Sequence, residues 1–258
     1  MKGEYLYRYI SFETFVGMVQ KNSLTFVLPT LWEDPQETAP FDQLIKKANS
    51  AIEYAYYAAI HNKVYAQCWS KLAESDAMWR IYAYGNKAIR IRVAKEKIAL
   101  LNGVTAVPVT YSDEIFTCEK IDKNVFFSSL AYKRTAFSHE EEVRLIKMYK
   151  YRDNDDAELH IKAMLVAAEH PQRAEIFESM LPDKSPQEKA REISKLINKG
   201  VEWQPTQDVS YSHIPDFIDG VMVHPLAPNW FVDIVHKYCT SNSIPFDGKS
   251  ELYCAPQE

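Results

Sequence analysis

Residues 5–19 read Tyr5-Leu6-Tyr7-Arg8-Tyr9-Ile10-Ser11-Phe12-Glu13-Thr14-Phe15-Val16-Gly17-Met18-Val19. The stretch to Ile10 is aromatic and β-branched, which suits a pleated strand. Ser11 then stands as an N-cap before Phe15, Val16 and Val19, so a helix follows at once. Working outward, Leu24–Leu28 reads as a second strand stopped by Pro29, and Val64–Trp69 as a third. Ala88–Val93 sets Ile89 and Ile91 against Arg90 and Arg92 with period two, again a strand. Gly103–Tyr111, Glu142–Tyr149 and Gly220–Val223 complete the strand set. Helical spacing marks 42–61, a short helix opened by Ser75-Asp76, Ala94–Leu101 and Asn229–Thr240. Strands interleaved with helices predict an α+β fold, a mixed sheet with flanking helices.

The composition changes in one block. Residues 151–200 hold only two aromatics, Tyr151 and Phe177, and are rich in Ala, Glu and Lys. Two helices fit there, near 156–170 and 185–198, the second with Pro186 at its first position. The expected organisation is an α/β core over 1–150, a helical insertion or cap over 151–205, and a return to the core over 206–258.

The chain has 258 residues, enough to bury a core without staples. Its net charge of -5 argues against broad binding to nucleic acid or acidic membranes. The one local basic stretch is Arg90, Arg92, Lys95 and Lys97, interrupted by Glu96. Glycine is scarce, at 7 residues, and none forms a dinucleotide-binding or Walker-type loop. Cysteines 68, 118, 239 and 254 show no C-x-x-C pair, and the histidines no ligand spacing, so no metal is expected. The opening residues lack an apolar run and no stretch is long enough to span a membrane, so the expected location is the cytoplasm.

The chemistry concentrates in four places. His139-Glu140-Glu141-Glu142-Val143-Arg144 enters a strand, and period two would put Glu140, Glu142 and Arg144 on one face. Two carboxylates beside a guanidinium suit a general base or a hydroxyl acceptor; alternatively they form a solvated ion pair. Tyr7-Arg8-Tyr9 offers an Arg between aromatics, fit for a phosphate or for an edge-strand ion pair. Ser70 ends the third strand, where it is a ligand contact or a turn cap. Trp79 and Tyr82 share a helical face, as a stacking wall or a core ridge.

In order along the chain, these pieces are Tyr7-Arg8-Tyr9, Trp32-Glu33-Asp34-Pro35-Gln36-Glu37, Cys68-Trp69-Ser70, Met78-Trp79-x-x-Tyr82, Lys133 and Glu140-x-Glu142-Val143-Arg144. The set resembles the bacterial and phage domain-of-unknown-function 2971 family over about residues 5–148. It departs from that pattern at Glu33, where the family commonly has Asn before Asp-Pro. The order Arg, strand-ending Ser, Glu-x-Glu is also similar to that of Arg-Ser-Glu-type ADP-ribosyltransferases, with Ser70 alone in place of their Ser-Thr-Ser.

That likeness implies an NAD-consuming transferase or glycohydrolase acting as a toxin or phage-defence effector, with NAD as co-substrate and no prosthetic group. Arg8, flanked by Tyr7, would hold an NAD phosphate and Ser70 would brace the nicotinamide pocket. Glu142 would bind the ribose and Glu140 would orient or deprotonate the acceptor. Trp79 or Tyr82 would stack on a ring, and Arg144 would sit beside the carboxylates. The partners implied are NAD, a macromolecular acceptor and an antitoxin protein. The competing reading is a non-catalytic binding or sensor module, which predicts an ion pair at residues 140–144 with no cavity beside it. A nucleic-acid enzyme ranks third.

Overall fold

The computed structural model describes residues 4–39, 64–82, 84–114, 127–148 and 204–254. The expected helices at 42–61, 156–170 and 185–198 lie outside the described residues, as does nearly all of the expected insertion.

The opening stretch folds as its pattern dictates. Strand β1 spans Tyr5–Ser11 and helix α1 spans Phe12–Lys21. Ser11 Oγ accepts the backbone N–H of Thr14 at 3.1 Å, closing the N-cap. Asn22 ends the helix in the left-handed region, with φ 52°. Strands β2 (Ser23–Val27), β3 (Val64–Ser70) and β4 (Ala88–Ala94) follow, with helix α2 (Asp76–Tyr82) between the last two. Ser75 Oγ accepts the N–H of Met78, the cap expected there.

Helix α3 is Lys95–Ala99. The expected strand 103–111 is divided into β5 (Val104–Pro108) and β6 (Thr110–Tyr111). β6 leaves the large sheet and pairs in parallel with β7 (Tyr132–Lys133). β8 spans Glu142–Met148. The C-terminal part supplies β9 (Thr206–Ser210), α4 (Ile214–Phe217), β10 (Gly220–Val223), α5 (Asn229–Ser241) and β11 (Phe246–Lys249). The fold is α+β, a mixed and mostly antiparallel sheet flanked by helices. Residues 206–249 return to that sheet: β9 pairs with β2, and β10 with β4 and β11.

The sheet forks at β3. One edge of β3 pairs with β8 along its whole length. The other edge is shared: β1 bridges it at Tyr7–Ser70 and β2 bridges it at Val27–Ala66. One branch then runs β1-β4-β10-β11 and the other β2-β9.

Side-chain alternation separates two faces. Leu6, Ile10, Ile89, Ile91, Trp69, Val143 and Leu145 share one core with Phe15 of α1 and Phe231 and Val235 of α5. On the other face Tyr9 and Ala88 pack against Met78 and Trp79 of α2. Among the described residues, no helix is long and apolar enough to cross a membrane.

Candidate functional site

Glu142 opens β8 and is almost fully buried, as are Glu140 and Lys133, while Arg144 has no exposure at all. Val143 and Leu145 point into the core, as period two requires. Glu140 does not share the strand, however. It ends a 3-10 turn over Thr135–Glu140, and Glu141 follows with φ 43°, so the strand begins two residues later than an unbroken Glu-x-Glu-x-Arg strand needs. Glu140 reaches the same cluster from the turn instead.

The cluster sets three carboxylates against two cations. Lys133 Nζ lies 2.7 Å from Glu140 Oε2, 3.1 Å from Glu142 Oε2 and 3.5 Å from Glu37 Oε1. Arg144 Nε donates to Glu142 Oε1 at 2.9 Å, and its Nη1 to the Leu130 carbonyl at 2.7 Å. Its Nη2 bonds Glu37, and the guanidinium lies 4.1 Å from the Trp32 ring centroid. A lysine could not make this fork of contacts.

Glu37 arrives on a 3-10 turn, Pro35–Glu37, capped by Asp34, whose Oδ1 accepts the N–H of Gln36. Arg134 pins the same turn through Asp34 at 2.8 Å. The Trp32–Glu37 motif thus docks on β7 and β8 by charge and by cation–π contact. Lys133 and Arg144 fill the space between the carboxylates, and among the described residues no cluster of His, Cys, Asp or Glu is arranged to hold a metal ion.

These neighbours set the charge states. Burial opposes ionisation of Glu142, but Arg144 and Lys133 overcome it and hold its pKa at about 2. Glu37 is pushed up by burial, with Arg144 and Lys133 only partly offsetting it. Burial works against the charge on Lys133 and on Arg144, yet Glu142 and its fellow carboxylates leave both well above their ordinary values. Cys68 is driven up by burial and by Glu142, so it carries a thiol and not a thiolate.

Beside the cluster lies a cavity of about 120 Å³. Tyr7, Arg8, Ser70, Tyr82, Glu140 and Glu142 all line it, joined by Tyr9, Cys68, Trp69 and Met78. The strand register brings three of them together: Tyr7 faces Ser70, and Ser70 faces Glu142. Ser70 Oγ donates to the Glu140 carbonyl at 2.6 Å and accepts the N–H of Leu72 at 3.0 Å. Tyr82 donates its hydroxyl to Glu140 Oε1 at 3.0 Å. The Tyr111 hydroxyl accepts the N–H of Glu142 at 2.8 Å.

Arg8 is different from every other cation here. Its side chain has no hydrogen-bond or ion-pair partner among the described residues. It is enclosed by protein yet keeps some exposure, as a residue lining a narrow cavity does. Burial lowers its pKa to about 10, which leaves it charged at neutral pH.

Two expected ligand contacts are placed elsewhere. Trp79 is fully buried, edge-on to Tyr9 and to His224, because its face of α2 is the packing face. Arg144 stands behind Glu142 with no accessible surface, so it acts on the carboxylates and not on a ligand. Sequence reasoning passed over Glu37 and Lys133 as site residues; the only signal was their place in the spaced motif set.

The basic stretch is neutralised. Arg92 pairs with Asp247 at 2.8 Å, Lys95 with Glu4 at 2.5 Å, Lys97 with Asp219 at 2.7 Å and Arg90 with Glu74 at 3.7 Å. No family model matches the chain, and neither does any curated protein or solved structure.

Proposed function

We propose that the Arg8 cavity cleaves NAD at its nicotinamide–ribose bond, as an ADP-ribosyltransferase or an NAD glycohydrolase. The observation that carries this reading is that Arg8, a cation with no partner among the described residues, lines the same cavity as the ionised Glu142. An unpaired guanidinium in protein surroundings is costly, and an anionic ligand offsets that cost. A phosphate of the dinucleotide supplies the anion.

A cavity of about 120 Å³ is too small for a whole dinucleotide, so the reacting ribose and the phosphate it carries reach Glu142 and Arg8, and the rest of the NAD lies outside. As the C–N bond breaks, its electron pair leaves on the nicotinamide nitrogen and cancels that ring's positive charge. Positive charge develops on the ribose, and a fixed carboxylate beside it stabilises the transition state. Glu142 retains lone pairs for a ribose hydroxyl, since Arg144 and Lys133 take only part of its acceptor capacity. The acceptor, water or a macromolecular nucleophile, attacks the ribose carbon and gives its proton to Glu140. Ser70 braces this arrangement through the Glu140 carbonyl.

The test is nicotinamide release by wild type and by Glu142→Gln, which keeps the shape and removes the charge. The expected loss is about a hundredfold or more. A second reading is a binding or sensor module, and one observation favours it: both oxygens of Glu142 already have partners. On that reading NAD or another anion binds through Arg8 and is recovered intact.

A further inference from the structure

A second cavity, of about 430 Å³, lies at the other end of Trp79. The Trp79 ring meets Tyr9, a wall of the Arg8 cavity, with centroids 4.8 Å apart, and meets His224, a wall of the second, at 5.2 Å. Ile81, Leu226 and Tyr253 give this cavity apolar sides.

His224 is only 4% exposed. Its Nδ1 accepts the N–H of Leu226 at 3.0 Å, so the neutral ring carries its proton on Nε2. Burial, then Lys249 and Arg80, hold the imidazole below its ordinary pKa, and the neutral form prevails at neutral pH. Nε2 has no hydrogen-bond partner among the described residues. A donor held in this way is unsatisfied until an acceptor enters.

Asn86 sits beside it after a left-handed turn, with φ 71° at Gly85 and 59° at Asn86. Its carboxamide is also without a partner among the described residues and offers both a donor and an acceptor. Arg80 is the charged side chain that lines this cavity; it is paired with Asp76 at 2.9 Å, and the Tyr253 hydroxyl bonds the same carboxylate.

We infer that this cavity binds a neutral planar heteroaromatic ligand of the nucleobase class. A ring nitrogen or carbonyl accepts from His224 Nε2, an amide-like edge pairs with Asn86, and the ring faces rest on Ile81, Leu226 and Tyr253. One fixed donor, one carboxamide and apolar sides are the complement that flat bases require. The volume suits a nucleoside. The inference is independent of NAD cleavage.

Calorimetric titration of the wild-type chain with adenosine, guanosine and uridine in turn tests it. At least one is expected to bind with a Kd below about 1 mM. That affinity is expected to fall about tenfold in Asn86→Ala and in His224→Gln, and to stay unchanged in Arg8→Gln. Asn86 lies on an exposed turn, so its variant reads the site even where the His224 variant fails to fold. The inference is overturned if none of the three binds, if Asn86→Ala binds as wild type does, or if Arg8→Gln abolishes binding.

Discussion

Ser70 stands directly opposite Glu142 in the β3–β8 ladder, and its hydroxyl grips the carbonyl of Glu140 at 2.6 Å. One small side chain thus ties the turn that ends in Glu140 to the strand that pairs with Glu142. Ser70→Ala would leave that carbonyl and the N–H of Leu72 without their buried partner. The expected cost is about 1–3 kcal/mol, read by urea unfolding. A loss below the lower figure would mean that the turn over Thr135–Glu140 holds itself.

Arg8 predicts the opposite sign. Its guanidinium is desolvated and has no partner among the described residues. Arg8→Met is therefore expected to raise the melting temperature, by the equivalent of about 1 kcal/mol, while binding of a phosphate-bearing ligand is lost. A melting temperature that falls would show that Arg8 contributes to the fold.

Arg144→Leu removes one of the two cations that Glu142 and Glu37 share. Two buried carboxylates then lose compensation, and a loss of about 3–5 kcal/mol is expected by chemical denaturation. Arg144→Lys is expected to recover less than half of it, because an ammonium cannot span Glu142, Glu37 and the Leu130 carbonyl together.

Acid titration separates the two kinds of buried carboxylate. The folded pKa of Glu142 is depressed to about 2, so its contribution to stability is present above the unfolded value. That contribution is lost as pH falls from about 4.3 towards the folded value. Glu37 is raised by burial, so it destabilises at neutral pH and that penalty is relieved as pH falls through its folded pKa. Melting temperature against pH is expected to lose its steep acid limb in Glu142→Gln. In Glu37→Gln the limb is expected to remain, with higher stability at neutral pH. An unchanged acid limb in Glu142→Gln would contradict the charge assignment.

Periodicity made much of the fold legible. Gly220–Val223 and Asn229–Ser241 form where their apolar spacing places them, and the Ser11 cap closes as its sequence suggests. Strands β9 and β11 were missed because Thr206–Ser210 and Phe246–Lys249 carry mainly polar side chains and a glycine, with no apolar run to mark them. The convergence of Arg8, Ser70 and Glu142 follows from a strand order that no local pattern encodes. Glu37 and Arg144 are likewise 107 residues apart, and the acids that neutralise Arg92 and Lys97 come from distant segments. Local reading found the cations but could not see their partners.

The most direct test of the Arg8–Glu142 cavity is steady-state nicotinamide release from NAD by wild type, Arg8→Gln and Glu142→Gln measured side by side. Arg8→Gln is expected to raise KM about tenfold or more with a smaller change in kcat, because the guanidinium holds the ligand. Glu142→Gln is expected to lower kcat about a hundredfold or more with KM little changed, because its charge acts on the transition state. No release by wild type, or equal release by wild type and Glu142→Gln, would contradict the account.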